Sequence, residues 1–239
     1  MNIKCLATGS SGNCYLVDTG GGCIILDAGI NFEKIVSNVN LNDVIFAFIS
    51  HEHKDHSKSA SKLLSRRVKV LGGNLGQDFI KNVIEGKNGT KFEVYTFPIL
   101  HGECENYGII VQNSRNGECL LYCTDFNICE WDLRDFKFTQ VMVECNYCED
   151  YISKVDSYKV KRQINTHMGL NGVQVFLDTL DLSKCKEILL IHQSQGLGDS
   201  ITMGATIYAK YRIPTGVCKQ YGGIEYYGWE KNVHSKDNW

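Results

Sequence analysis

Proline is nearly missing from this chain: Pro98 and Pro214 are the only two in 239 residues. No Ser/Gly/Pro-rich stretch occurs either, so nothing reads as an interdomain linker, and a single domain over residues 1–239 is the expectation. That length suffices for one large core. Apolar runs are short, none approaching the ~18 residues of a membrane helix. An excess of charge is also lacking: 25 Lys+Arg stand against 27 Asp+Glu, a net charge of −2. A protein that grips long nucleic acid usually carries a basic stripe. The candidates here are Lys54, Lys58, Lys62, Arg66, Arg67 and Lys69, then Lys154, Lys159, Lys161 and Arg162, although a plain solvated face is the commoner reading of either set. The amino end, Met1-Asn2-Ile3-Lys4, has no apolar signal core and runs straight into a strand pattern, so a cytoplasmic location with no membrane partner is expected. In a reducing compartment the eleven cysteines, an odd count, act mostly as small buried hydrophobes. Cys145-Asn-Tyr-Cys148 is a CxxC, but the second such pair of a zinc ribbon is absent.

What is present begins with short apolar runs broken by tight turns. Strands are expected at Ile3–Ala7, Cys14–Asp18, Cys23–Leu26, Val44–Ser50, Val68–Leu71, Lys91–Phe97, Tyr107–Gln112, Cys119–Cys123 and Gln140–Cys145, with a helix at Lys58–Ser65. Thr8-Gly9-Ser10-Ser11-Gly12-Asn13 reads as a hairpin that uses glycine's freedom at positive φ. Farther on, Leu170, Val173, Phe176, Leu177 and Leu180 keep the spacing of an amphipathic helix. Glu187–Ile191 is a buried strand, Ile201–Tyr211 a helix, and Thr215–Val217 and Ile224–Tyr227 are closing strands. Strands first, then mixed elements without a repeat, suggest two sheets covered by helices.

The seven histidines carry the chemistry. His51, His53 and His56 fall in Ser50-His51-Glu52-His53-Lys54-Asp55-His56, directly after the buried strand. A strand end holds the first side chain rigidly, and the following turn folds the others toward the same point. His101, His167, His192 and Asp125 each lie at the end of an expected strand or helix; only His234, in the polar tail, does not. One such histidine is more often a satisfied structural residue. A whole series beside HxHxDH points to a metal site.

Strand-end HxHxDH, a lone His, Thr-Asp and a late His resemble the ligand series of the metallo-β-lactamase superfamily over nearly the whole chain. The resemblance implies an αββα sandwich, two mixed β-sheets flanked by helices. More narrowly, the chain is similar to the YycJ-type branch, through Gly9-Ser10-Ser11-Gly12-Asn13, Asp27-Ala28-Gly29 and His192-Gln193-Ser194. It departs from that branch at His167-Met168-Gly169, where His-Leu-Ser is usual, and at Gln195-Gly196-Leu197-Gly198, where paired asparagines are common. The resemblance implies one metal on His51, His53 and His101 and another on Asp55, His56 and His192, with Asp125 bridging. Two divalent ions, Zn²⁺ first and Mn²⁺ second, suit nitrogen and carboxylate donors. Di-iron members of the superfamily typically carry Glu at the position of His53.

Glu144 and His167 resemble the acid–imidazole pair of tRNase Z-like and YycJ-like phosphodiesterases, in which the imidazole protonates the leaving oxygen. Lactamase-type and glyoxalase-type members lack it. Asp55, His167 and Glu144 are therefore the expected catalytic groups, with Ser194 and Asn13 as candidate substrate contacts. The expected activity is hydrolysis of a phosphodiester by a DNA exonuclease-like nuclease. The alternative is a phosphodiesterase of cyclic nucleotides, which fits the missing basic excess, with an acyl or thioester hydrolase behind it. The substrate partner is thus a nucleic acid or a cyclic nucleotide. A homodimer is left open by the habits of related phosphodiesterases.

Overall fold

The computed structural model describes residues 1–72, 76, 78–152 and 158–228, without the side chains of 158, 159, 161 and 162. Lys154, His234 and the side chains of Lys159, Lys161 and Arg162 lie outside the described residues. Two sheets form. The first runs in sequence order through β1 (Asn2–Ala7), β2 (Cys14–Asp18), β3 (Cys23–Leu26), β4 (Val44–Ile49) and β5 (Val70–Gly72). Its hairpins are antiparallel, while β3, β4 and β5 are parallel, joined over one face by α1 (Phe32–Val36), α2 (Lys54–Ser57) and α3 (Ala60–Ser65).

The second sheet is also sequential: β6 (Ile80–Glu85), β7 (Lys91–His101), β8 (Cys104–Asn113), β9 (Cys119–Cys123), β10 (Gln140–Glu144), β11 (Glu187–Ile191), β12 (Thr215–Cys218) and β13 (Ile224–Tyr227). Strands β9 to β12 are parallel. The helices α4 (Glu149–Ile152), α5 (Tyr158–Thr166), α6 (Leu170–Asp178) and α7 (Ser200–Tyr211) connect them. Helix α7 is fixed at its start by Asp199, whose carboxylate accepts the N–H groups of Ile201 and Thr202.

Apolar alternation explains the layers. On β9, Leu120 and Tyr122 face the other sheet, meeting Tyr15, Phe46 and Phe48, while Leu121 and Cys123 face Val173, Leu177 and Met203 of the helices. Both faces are covered, so the strand reads as a continuous apolar run. Ile35 and Leu63 cover the outer face of the first sheet in the same way. The order helix, sheet, sheet, helix is the sandwich that the resemblance implied.

Several boundaries differ from expectation. Strand β7 runs on through Pro98 to His101. Leu100 donates its N–H to Ile128, away from β8, so Pro98, two residues earlier, turns its missing N–H to that same side, beyond the end of β6. Strand β6 was not foreseen, because it is an edge strand with little apolar alternation and with Val83 exposed. Helices α1 and α5 were not foreseen either, and the expected helix Lys58–Ser65 starts at Ala60, after the separate turn of α2.

All eleven cysteines are free, eight of them buried, and burial raises the thiol pKa of Cys14, Cys123 and Cys145 well above the ordinary value. Cys145 and Cys148 pack in the core under the helices, apart from the histidines. Alkylation of the unfolded protein without reductant should therefore modify all eleven thiols; mass spectrometry showing several protected as disulfides would contradict this arrangement.

Candidate metal centre

Residues far apart in sequence meet because strand ends coincide. Strands β9, β10 and β11 are parallel, so Asp125, Glu144 and His192, which follow or end them, emerge at one end of the sheet. Strand β7 is separated from β9 by two antiparallel pairings, which restores its direction and brings His101 to the same end. On the other sheet, β3 and β4 are parallel and deliver Asp27 and Ser50-His51. A backbone bond from Tyr107 to Ser50 (3.1 Å) helps join the two ends.

Three of these residues turn sharply as they leave their strands. Asp27, Asp125 and His192 have φ of 55°, 51° and 53°, a region that non-glycine residues enter at a cost of about 1–3 kcal/mol each. Such strain persists where neighbours over-determine the backbone. Asn106 Nδ2 holds the Asp125 carbonyl at 2.5 Å, and Asn146 Nδ2 holds that of His192 at 2.8 Å.

The donors fall into adjoining groups. His51, His53 and His101 form one; Asp55, His56, Asp125 and His192 form the next, each with its donor atoms within 4.8 Å of one another. Asp125 faces both. Its Oδ2 lies 3.9 Å from His51 Nε2 and 3.9 Å from His101 Nε2, while Oδ1 lies 3.4 Å from His56 Nε2 and 3.2 Å from His192 Nδ1. Asp55 Oδ2 stands 3.5 Å from His56 Nε2 and 3.7 Å from His192 Nε2.

Each buried imidazole has its Nδ1 engaged by a neighbouring protein group, which fixes the orientation of the ring as a metal ligand requires. His56 Nδ1 bonds Asp27 Oδ2 at 2.6 Å, His51 Nδ1 the Ser50 hydroxyl at 3.0 Å, and His101 Nδ1 the Thr166 carbonyl at 2.9 Å. Asp27 is itself held by the Ser50 N–H at 2.8 Å and the Tyr122 hydroxyl at 2.5 Å. His192 Nδ1 lies 3.0 Å from Glu144 Oε1, and its Nε2 is buried with no hydrogen-bond partner among the described residues. His51 Nε2 and His53 Nδ1 face each other at 2.9 Å.

Charge makes the same demand. Burial opposes ionisation of Asp125, Asp55 and Glu144, yet neighbouring imidazoles hold all three carboxyls below their usual range. Burial also opposes charge on His56 and His192, but the surrounding carboxylates win and push His192 up to about 10 and His56 well above its ordinary value. Buried negative charge is thus drawing protons onto imidazoles, and a divalent cation would satisfy the same charge. His51, by contrast, is driven down to about 2, first by burial and then by His56, so it stays neutral as a nitrogen donor must. The orphaned His192 Nε2 and the facing nitrogens of His51 and His53 fit a cation, and the cluster is suited to a divalent metal.

This geometry and the layer order decide the fold. The chain has the metallo-β-lactamase fold. The sequence profile described as Metallo-beta-lactamase superfamily matches residues 7–110. No curated protein matches the chain in sequence. Among solved structures, the metallo-beta-lactamase fold protein YhfI from Bacillus subtilis is similar at 15% identity and a TM-score of 0.67, covering 94% of this chain and 99% of its own. Yeast PDE1 is similar at 9% identity and 0.60, covering 93% and 99%. Human tRNase Z, short form, is similar at 14% and 0.59, covering 92% and 97%.

Within this metallo-β-lactamase fold, the seven candidate ligands and the Glu144–His167 pair all come together. Ser194 is half-buried beside His192, its N–H bonded to the Asn146 carbonyl at 2.8 Å. Asn13 is different: it is fully buried, with its amide bonded to Gly9 and to the Asp55 carbonyl and packed against His56 Nε2, so it supports the donors from within instead of lining an open cleft. Sequence reasoning assigned no role to Asp27, Ser50, Tyr122 or Asn146. Asp27 carried a signal, in the Asp27-Ala28-Gly29 motif; Tyr122 reads only as one apolar strand position among several. Gly29 of that motif is needed for close approach, since a Cβ there would lie 1.7 Å from the Asp55 carbonyl oxygen.

Asp125→Ala removes a carboxylate oxygen from both groups at once. Its bound divalent metal should fall well below that of the unaltered chain, and equal contents by elemental analysis would remove Asp125 from the site.

Proposed function

We propose that the chain is a dinuclear metal-dependent phosphodiesterase, with His51, His53 and His101 holding one cation, Asp55, His56 and His192 a second, and Asp125 between them. Zn²⁺ comes first and Mn²⁺ second for this donor set. When bound, such cations supply a hydroxide nucleophile near neutral pH and neutralise charge that grows on the phosphate oxygens. Asp55 is half-buried and held ionised by His192 and His56, and in this reading it would orient the attacking water by accepting its hydrogen bond.

The observation that carries the choice of a phosphodiester is the pair beside the donors: His167 Nδ1 bonds Glu144 Oε1 at 2.6 Å. Glu144 is fully buried, and its other oxygen accepts the Phe126 N–H at 2.9 Å, so the carboxylate is fixed. Burial works against charge on His167, but Glu144 outweighs it and raises the imidazole pKa. With Nδ1 committed, Nε2 is the nitrogen left for substrate. A protonated imidazole there can deliver its proton to a departing alkoxide, as hydrolysis of an unactivated phosphodiester requires.

A DNA exonuclease-like nuclease of the YycJ type is the substrate reading we favour. Lys54, Lys58, Lys62, Arg66, Arg67 and Lys69 are all exposed on and after the HxHxDH segment, where a polyanion could follow them. Hydrolysis of a cyclic nucleotide is the second reading, favoured by the net charge of −2.

Purified protein loaded with zinc should be assayed on duplex DNA, single-stranded DNA, RNA, cyclic nucleotides and a p-nitrophenyl phosphodiester. His167→Ala should retain its metal and fold yet lose about 10²–10⁴-fold in turnover on the natural ester. The loss should shrink on the p-nitrophenyl ester, whose leaving group needs no proton. An equal deficit on both substrates would remove His167 as the acid, and absence of turnover on every phosphodiester would overturn the reading.

The pH profile gives a further expectation. The acid is present below the raised pKa of His167, so turnover should fall as pH rises through it. Glu144→Gln removes the charge that raises it, and the alkaline limb should move to lower pH; a limb that stays in place would mean another group titrates.

A further inference from the structure

The turn between β1 and β2 has no part in the chemistry above, yet its side chains reach both sheets. Thr8 is buried, and its Oγ1 accepts the N–H of His192 at 2.8 Å. That is the strained residue whose carbonyl Asn146 holds from the other side. Thr8 Oγ1 is also hydrogen-bonded to the Tyr15 hydroxyl at 2.5 Å. Tyr15 is fully buried between the sheets, and its hydroxyl donates to Asn13 Oδ1 at 3.4 Å. The same oxygen accepts the Gly9 N–H at 2.8 Å. From there Asn13 reaches α2: its backbone N–H and its Nδ2 donate to the Asp55 carbonyl at 2.7 and 3.2 Å, and Nδ2 stands 3.0 Å from His56 Nε2.

A chain of buried polar contacts thus runs from the backbone of His192, on the second sheet, to Asp55 and His56, on the first. All three residues belong to one of the two proposed cation groups. None of these bonds, among the described residues, reaches His51, His53 or His101; Ser50 holds His51, the Thr166 carbonyl holds His101, and His53 meets His51. The physical need is clear. Each sheet carries part of the site, and apolar packing between sheets is non-directional, whereas cation ligands must be held to within about 0.5 Å by hydrogen bonds from a second layer of residues.

We propose that the Thr8–Asn13 turn is a clamp for the second cation, in which Thr8, Tyr15 and Asn13 act as positioning residues that fix His192 against Asp55 and His56. The inference rests on the two-cation reading and adds residues that it does not use. Gly12 lets the turn seat: a Cβ there would lie 2.6 Å from the Gly29 carbonyl oxygen, so the turn and the Asp27-Ala28-Gly29 segment pack backbone to backbone.

The test uses Thr8→Val, which deletes the acceptor of the His192 N–H while nearly conserving volume, and Thr8→Ser, which keeps the hydroxyl. Zinc is titrated into metal-stripped protein against a competing chelator, and thermal unfolding of the metal-stripped protein is followed separately. The unaltered chain should bind two ions. Thr8→Val should bind the second about 10–100-fold more weakly, with the first unchanged and the metal-free unfolding temperature close to that of the unaltered chain. Thr8→Ser should restore the second affinity. Unchanged affinities in Thr8→Val would overturn the clamp, as would equal weakening of both ions together with a loss of metal-free stability. Should Thr8→Val not fold, Tyr15→Phe supplies the same measurement: a loss confined to the second ion supports the clamp, and no loss overturns it. An unaltered chain that takes up one ion only would instead overturn the two-cation reading, and the clamp with it.

Discussion

The carboxylate of Asp125 sits at the shared end of the two sheets with one oxygen toward His56 and His192 and the other toward His51 and His101. It is almost fully buried, and so are Asp27 and Glu144. Charge taken out of water at this density must be matched nearby, because desolvation costs several kcal/mol per ion. Here the match is made by imidazoles, and the cluster is equally suited to a divalent cation. Much of the local architecture follows from that requirement: each carboxylate also receives N–H or O–H donors, from the neighbouring Thr124 for Asp125 and from residues distant in sequence for Asp27 and Glu144.

The sandwich supplies the rigidity. Parallel strands end together, so side chains just past their carboxyl ends converge without long loops. The strained turns at Asp27, Asp125 and His192 are the local consequence, since each chain must reverse direction at once to point its side chain across the end of the sheet. Packing on both faces of the central strands holds those ends in place.

Glu144 links two kinds of chemistry. Its Oε1 is shared by His167 at 2.6 Å and His192 at 3.0 Å, so one fixed carboxylate orients both a candidate proton donor and a candidate metal ligand. The rings of His167 and His192 lie against each other with centroids 5.3 Å apart. The candidate proton donor and the candidate metal ligand therefore belong to one hydrogen-bonded unit.

Much of this was legible in the amino-acid order alone. Buried strands such as Cys119–Cys123 and Glu187–Ile191 declare themselves by continuous apolar runs, and HxHxDH after Val44–Ile49 declares a cluster, because close spacing forces those side chains together whatever the rest of the chain does. Edge strand β6 and helix α1 stayed hidden, being short and only partly apolar. Tyr15, Tyr122 and Thr8 were hidden for another reason: in a strand or a turn they look like ordinary packing residues, and only the pairing of two distant sheets gives their hydroxyls partners. The sequence by itself determined which donors exist and which strands are buried, through spacing and periodicity. Tertiary structure decided which groups hold the Nδ1 of His56, His101 and His192, which oxygen of Asp125 faces which group, and that Asn13 is packed against His56, because those depend on contacts between residues tens to hundreds of positions apart.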